Sequence, residues 1–123
     1  MTNTRDNSTM SVHIVEEKIS VADVKAAADE TFGTMVKAMV DVEKRIMAMG
    51  GELHADANAA LIEHGSRPQD LWGINIYPDK SRDAWIEFIS LLNIRPAVGN
   101  RSMEIKDPTL RQRIREIVHE LVQ

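Results

Sequence analysis

The stretch Met35-Val36-Lys37-Ala38-Met39-Val40-Asp41-Val42-Glu43-Lys44-Arg45-Ile46-Met47-Ala48-Met49-Gly50-Gly51-Glu52-Leu53-His54-Ala55-Asp56 decides the fold. Two periods compete in it. Met35, Met39, Val42, Ile46 and Met49 recur at heptad-like spacing and suit a helix, whereas Val36, Ala38, Val40 and Val42 alternate as a strand does. Three features favour strands. β-Branched residues crowd the first half. The charged trio Glu43-Lys44-Arg45 falls where a turn belongs. Gly50-Gly51 would cost a helix about 1 kcal/mol per glycine. The stretch therefore predicts strands at Met35–Val42 and Ile46–Leu53, although the turn lacks an Asn-Gly or Asp-Gly pair. Folding about Lys44 would set Val36, Ala38, Val40 and Val42 on one face with Ile46 and Ala48. Met35, Met39, Met47 and Met49 would take the other face.

On the N-terminal side, residues 1–11 are polar and unpatterned and read as a disordered tail, with Met10 available as an internal start. Residues 12–17 suit a short strand. Ser20 and Asp23 form a capping-box pair that opens a helix, with Val21, Val24, Ala28 and Phe32 on its apolar face and Gly33 as its stop. On the C-terminal side, Ala55–His64 reads as a helix capped by Asp56 and ended by Gly65. Ser66 then caps a single turn that begins at Pro68. Leu71–Tyr77 reads as a buried strand. Trp85–Arg95 reads as a long one, with Ile86, Phe88, Leu92 and Ile94 on one face and Glu87, Asn93 and Arg95 on the other. Asp107-Pro108 starts the last helix, whose Leu110, Ile114, Ile117, Val118 and Leu121 form the inward stripe. The expected fold class is α+β: a mainly antiparallel sheet with helices packed on one face, in the order β-α-β-β-α-β-β-α, forming a single domain over residues 12–123.

Composition narrows the function classes. The 123 residues are 43% hydrophobic and 28% charged, as in soluble globular chains. A net charge of −4 disfavours a general nucleic-acid binder. The chain has no cysteine, which excludes disulfides and Cys-based zinc sites and suits a reducing cytoplasm. No apolar run is long enough to span a bilayer, and no signal peptide is evident. Aromatics make up only 4% of residues, so the seven methionines serve as core filler. A phosphate-binding glycine loop, a Gly-x-Ser-x-Gly nucleophile elbow and a zinc-protease helix motif are all missing.

Four blocks together carry a resemblance: Val40-Asp41-Val42-Glu43-Lys44, Gly50-Gly51-Glu52-Leu53-His54-Ala55-Asp56, Asp70-Leu71-Trp72-Gly73-Ile74-Asn75 and Asn93-Ile94-Arg95-Pro96. From about His13 to Val122 the chain resembles a family of small prokaryotic proteins known only as a domain of unknown function. The resemblance implies a stand-alone domain and no established activity. That family often carries an acidic residue where Asn58 stands here, a departure that counts against a site needing a carboxylate at that position.

Two clusters have chemical potential. In the first, Glu52, His54 and Asp56 are the catalytic candidates, and His54 with Asp56 the metal candidates. A histidine between carboxylates can hold a divalent metal or act as a base oriented by an acid, and an extended 52–56 would point all three to one face. The plainer role is a strand end followed by a helix cap. Asp41 and Glu43 lie near the turn, about 20 Å from His54 in such a hairpin, and cannot join it; with Lys44 and Arg45 they read as a solvated turn. His64 reads as a partner of helix-terminal carbonyls. In the second cluster, Asn75, Asn93, Arg95, Asn100 and Arg101 could bind a carboxylate or phosphate. The plainer role has the asparagines bracing turns and Arg95 pairing with Glu52 or Glu87. Arg111, Arg113 and Arg115, with Arg95, Arg101 and Lys106, make the C-terminal third locally basic, but Glu116 and Glu120 interleave with them, so a solvated helix face is expected. The leading expectation is a small cytoplasmic, non-catalytic binding or protein-interaction module, with a protein partner or self-association through sheet or methionine surface. The alternative is a small metal-dependent or acid–base enzyme, hydrolase-like, centred on His54.

Overall fold

The computed structural model describes residues 11–123. The expected tail at 1–11 lies, apart from Ser11, outside the described residues. The elements are β1 (Val12–Val15), α1 (Val21–Glu30), β2 (Val36–Asp41), β3 (Ile46–Gly50), α2 (His54–Glu63), β4 (Leu71–Ile76), β5 (Ile86–Glu87) and α3 (Pro108–Leu121), with single 3-10 turns between them. The order matches the α+β expectation. The five strands form one antiparallel sheet in the order β1-β3-β2-β4-β5.

The decisive stretch is the hairpin β2–β3, and its register differs from expectation by one residue. Asp41 pairs with Ile46, Val40 with Met47 and Ala38 with Met49. Because side chains alternate, a slip of one residue moves every side chain of one strand to the opposite face. Val36, Ala38 and Val40 consequently share their core with Met47 and Met49, while Met39 joins Ile46 and Ala48. Asp41 sets this register. One of its oxygens accepts the amides of Glu43 at 3.0 Å and Lys44 at 2.8 Å, an Asx turn in place of the missing Asn-Gly. Its other oxygen accepts the Ser66 hydroxyl at 2.6 Å. Asp41 is thus fully buried rather than part of a solvated turn, and Ser66 is its partner rather than a cap. Arg45 closes the turn in the left-handed region at φ 58°.

The sheet is covered on both faces, not one. Val24, Ala27 and Ala28 of α1 and Ile114, Ile117, Val118 and Leu121 of α3 pack on the face that carries Trp72, Ile74 and Ile76. Ala57 and Leu61 of α2 pack on the opposite face, against Met39, Ala48 and Leu71. Met39, Met47 and Met49 are all buried, so they supply no docking surface.

The long strand expected over Trp85–Arg95 is only Ile86–Glu87. Ser90 breaks it: its Oγ accepts the Leu92 amide and its carbonyl the Asn93 amide, starting the 3-10 turn Leu91–Asn93. The four apolar residues of the expected face are therefore scattered. Phe88 is core, Leu92 packs toward α2, and Ile94 is exposed. Phe32, placed on the apolar face of α1, is also exposed, because that helix ends before it. The caps at Ser20/Asp23 and Asp107 are as expected.

Candidate functional site

The site is built where the N-terminus of α2 meets the face of the sheet formed by β2 and β4. Gly51 adopts φ 84° and lets the chain turn sharply out of β3. A Cβ there would lie 2.7 Å from that of Asp56. This turn ends the extended backbone on which Glu52, His54 and Asp56 would have shared a face. Asp56 reaches back to accept the Leu53 amide at 2.9 Å and is used as a cap, though from inside the helix rather than ahead of it. Glu52 is exposed. His54 is the first residue of α2 and is buried. Among the described residues no three histidine or carboxylate side chains come together in a metal-binding group.

His54 instead faces β4. Its Nε2 lies 2.8 Å from the carbonyl oxygen of Ile74. A carbonyl only accepts, so Nε2 carries the proton, and Nδ1 of the neutral ring is an acceptor. Burial holds the His54 pKa below its ordinary 6.5. The Ile74 carbonyl opposes this, nearby Lys37 adds to it, and the Asn75 amide opposes it. The neutral, Nε2-protonated ring is the form this environment favours.

His54 lines a cavity of about 320 Å³ together with Lys37 and Asn75. Lys37 and Asn75 are paired across β2 and β4, so both project from the α2 side of the sheet. Three of the exposed large apolar side chains form the rim: Leu53 at 60% exposure, Leu91 at 69% and Met103 at 41%. The cavity unites His54 of the first cluster with Asn75 of the second.

The remaining residues of the second cluster stay apart from it. Asn93 is fully buried and clamps backbone: its Oδ1 accepts the Gly73 amide at 2.8 Å, and its Nδ2 donates to the carbonyls of Gly73 and Met103. Asn100 donates to the carbonyls of Asn93 and Ser102 and accepts the Lys106 amide. Arg95 pairs with neither Glu52 nor Glu87. It stacks 4.3 Å over Trp72 and donates to the carbonyls of Gln69 and Leu71. Burial lowers its pKa, with Asp70 opposing. Arg101 is exposed.

The basic third of the chain is largely engaged. Arg111 pairs with Glu104 at 2.5 Å and lies over Phe88, as does Arg115, while Arg113 donates to the Val42 carbonyl. His64 meets Glu16 at 2.9 Å rather than helix carbonyls.

Lys37 and the rim residues were not legible in the sequence. Lys37 looked like one polar position in an alternating strand, and only the pairing of β2 with β4 places it opposite Asn75. Leu53 and Met103 lie 50 residues apart in loops with no shared pattern.

No helix is long and apolar enough to cross a membrane among the described residues. No curated protein and no solved structure matches the chain. A family model does match, over residues 13–121, and its description is a protein of unknown function, DUF5674. With nearly its whole length matched, the chain belongs to the DUF5674 family of proteins of unknown function.

Proposed function

We propose that the protein is a small cytoplasmic binding module without catalytic activity, acting as one domain over residues 12–123, and that its site is the His54 cavity. The observation that carries this reading is the cavity itself. About 320 Å³ of space has polar groups at its base in Lys37, His54 and Asn75, with an exposed apolar rim above them. Concave, mostly apolar sites with a few convergent polar groups are where small ligands bind. The same rim would serve for contact with a protein partner or a second copy of the chain.

The enzyme reading has one observation in its favour. The His54 tautomer leaves a neutral Nδ1 as a base. Against it, Glu52 and Asp56 do not line the cavity, so among the described residues the ring has no lining carboxylate to orient it or to share a divalent metal.

The deciding experiment is an amide-shift NMR titration of the full chain with 4-methylpentan-1-ol and 4-methylpentanoate, repeated with His54→Ala, alongside assays on generic ester and phosphate-ester substrates. Shifts at residues 53–55, 75, 89–92 and 103, with no turnover, are expected. Turnover abolished by His54→Ala would replace the module with the enzyme. Silence at these residues up to about 10 mM of either probe, weaker than even fragment affinities, would remove the cavity as a site.

A further inference from the structure

We propose that the His54 cavity takes a small aliphatic 2-hydroxy acid, its carboxylate on Lys37 and the first turn of α2, its hydroxyl on Asn75 and its hydrocarbon under the rim of Leu53, Leu91 and Met103. This rests on the reading of the cavity as a ligand site and adds the class of ligand.

The charge of the ligand follows from Lys37. Among the described residues it is the one lining side chain that carries a full charge, since His54 is held neutral. Among the described residues Lys37 has no carboxylate partner, and its ammonium lies 5.4 Å from the Phe32 ring centre. The first turn of α2 adds to this. The amides of His54 and Ala55 have no intrahelical carbonyl to bond, and the N-cap residue, Leu53, has no side-chain acceptor to offer them. One cation and two free amides, with Asp56 spent on the Leu53 amide, suit a monoanion. A phosphate dianion carries a second charge, and no second cationic side chain lines this cavity among the described residues.

The hydroxyl follows from Asn75, which is 93% buried. Its Nδ2 donates to the Glu87 carboxylate at 2.8 Å and to the Ile89 carbonyl at 3.4 Å. Both neighbours only accept, which prevents the amide from flipping. Its Oδ1 is left buried without a hydrogen-bond partner, because the neighbouring His54 spends its Nε2 proton on the Ile74 carbonyl. The ligand must therefore bring a donor as well as an anion. An ammonium would be repelled by Lys37, whereas a neutral hydroxyl is not. Glu87 does not line the cavity and is occupied by Asn75 and the Tyr77 hydroxyl, so it does not repel the ligand's carboxylate directly. The apolar rim accounts for the hydrocarbon.

The test is calorimetric and NMR titration of the full chain with three probes of one carbon skeleton: 2-hydroxy-4-methylpentanoate, 4-methylpentanoate and 4-methylpentane-1,2-diol. The hydroxy acid should bind about tenfold more tightly than either of the others, each of which lacks one polar contact. Lys37→Met, a substitution at a half-buried position, should weaken both acids about tenfold and leave the diol unchanged. Circular dichroism of the variant checks that it is folded. Equal binding of acid and diol to the unaltered chain, or indifference of the acids to Lys37→Met, would overturn the ligand class while the site stood. Equal binding of the two acids would remove Asn75 from it. Absence of shifts with all three probes would overturn the site as well.

Discussion

Asp41→Ala should unravel the register of the central hairpin, and its cost can be worked from three hydrogen bonds. The carboxylate accepts the Glu43 and Lys44 amides at the turn, where water can partly replace it, and the Ser66 hydroxyl in the interior. Turn bonds of this kind contribute about 1 kcal/mol each, and a bond between a charged acceptor and a buried hydroxyl about 2 kcal/mol. The alanine variant should therefore lose about 4 kcal/mol. Near 3–6 °C per kcal/mol for a chain of this size, that is a fall in Tm of roughly 12–24 °C. Asp41→Asn is the informative control. Its amide oxygen can still accept both turn amides, and its nitrogen can donate to Ser66, whose own proton then needs a new acceptor. A loss of about 1–2 kcal/mol is expected. Urea unfolding of the two variants and of Ser66→Ala, compared at constant m value, measures this directly. If the asparagine variant were as unstable as the alanine variant, or the alanine variant lost less than about 1 kcal/mol, the Asx turn would not be what sets the register.

Two further outcomes are expected. Gly73→Ala should cost about 2 kcal/mol by overpacking, because the new methyl would lie 2.5 Å from the Ser90 Cβ and 3.2 Å from the Met39 sulfur. In a double-mutant cycle, Ser90→Gly should recover part of that loss, and strict additivity would show that the two sites do not clash. The His54 ring, followed by NMR, should titrate below its ordinary 6.5 because burial disfavours the charged form. The unfolded chain then takes up a proton first as pH falls. The stabilising contribution of neutral His54 is complete above about pH 6.5 and is lost as pH drops through the lowered native value. His119, shifted the same way by burial and by Arg82 and Arg115, adds to the trend. The comparison with His54→Gln isolates the His54 share, and a ring that titrates at or above 6.5 would contradict its burial.

Much of the architecture was legible in the chain alone, because it rests on local rules. Period, caps and stops identified eight elements in their observed order: Ser20 with Asp23, Gly33, Gly65 and Asp107-Pro108 all act over a few residues, within the reach of local sequence. Tertiary structure decided what depends on partners distant in sequence. The register of β2 on β3 turned on Asp41, whose carboxylate joins the turn amides to the distant Ser66 hydroxyl, and one residue of slip set Met39 on the opposite face from Met47 and Met49. The long strand at 85–95 failed because Ser90 is spent on a turn and Asn93 meets Gly73 of β4 through its side chain rather than through a backbone ladder. Asp41 and Asn93, which look like surface polar residues, are buried because partners distant in sequence satisfy them, the Ser66 hydroxyl for Asp41 and the Gly73 and Met103 backbone for Asn93. The cavity belongs to this second class. His54 could be singled out by its neighbours in sequence, but those neighbours turned away at Gly51. Lys37 and Asn75 came beside it instead, through antiparallel pairing of strands nearly forty residues apart, since a binding site is a meeting of chain segments and sequence patterns report only the segments.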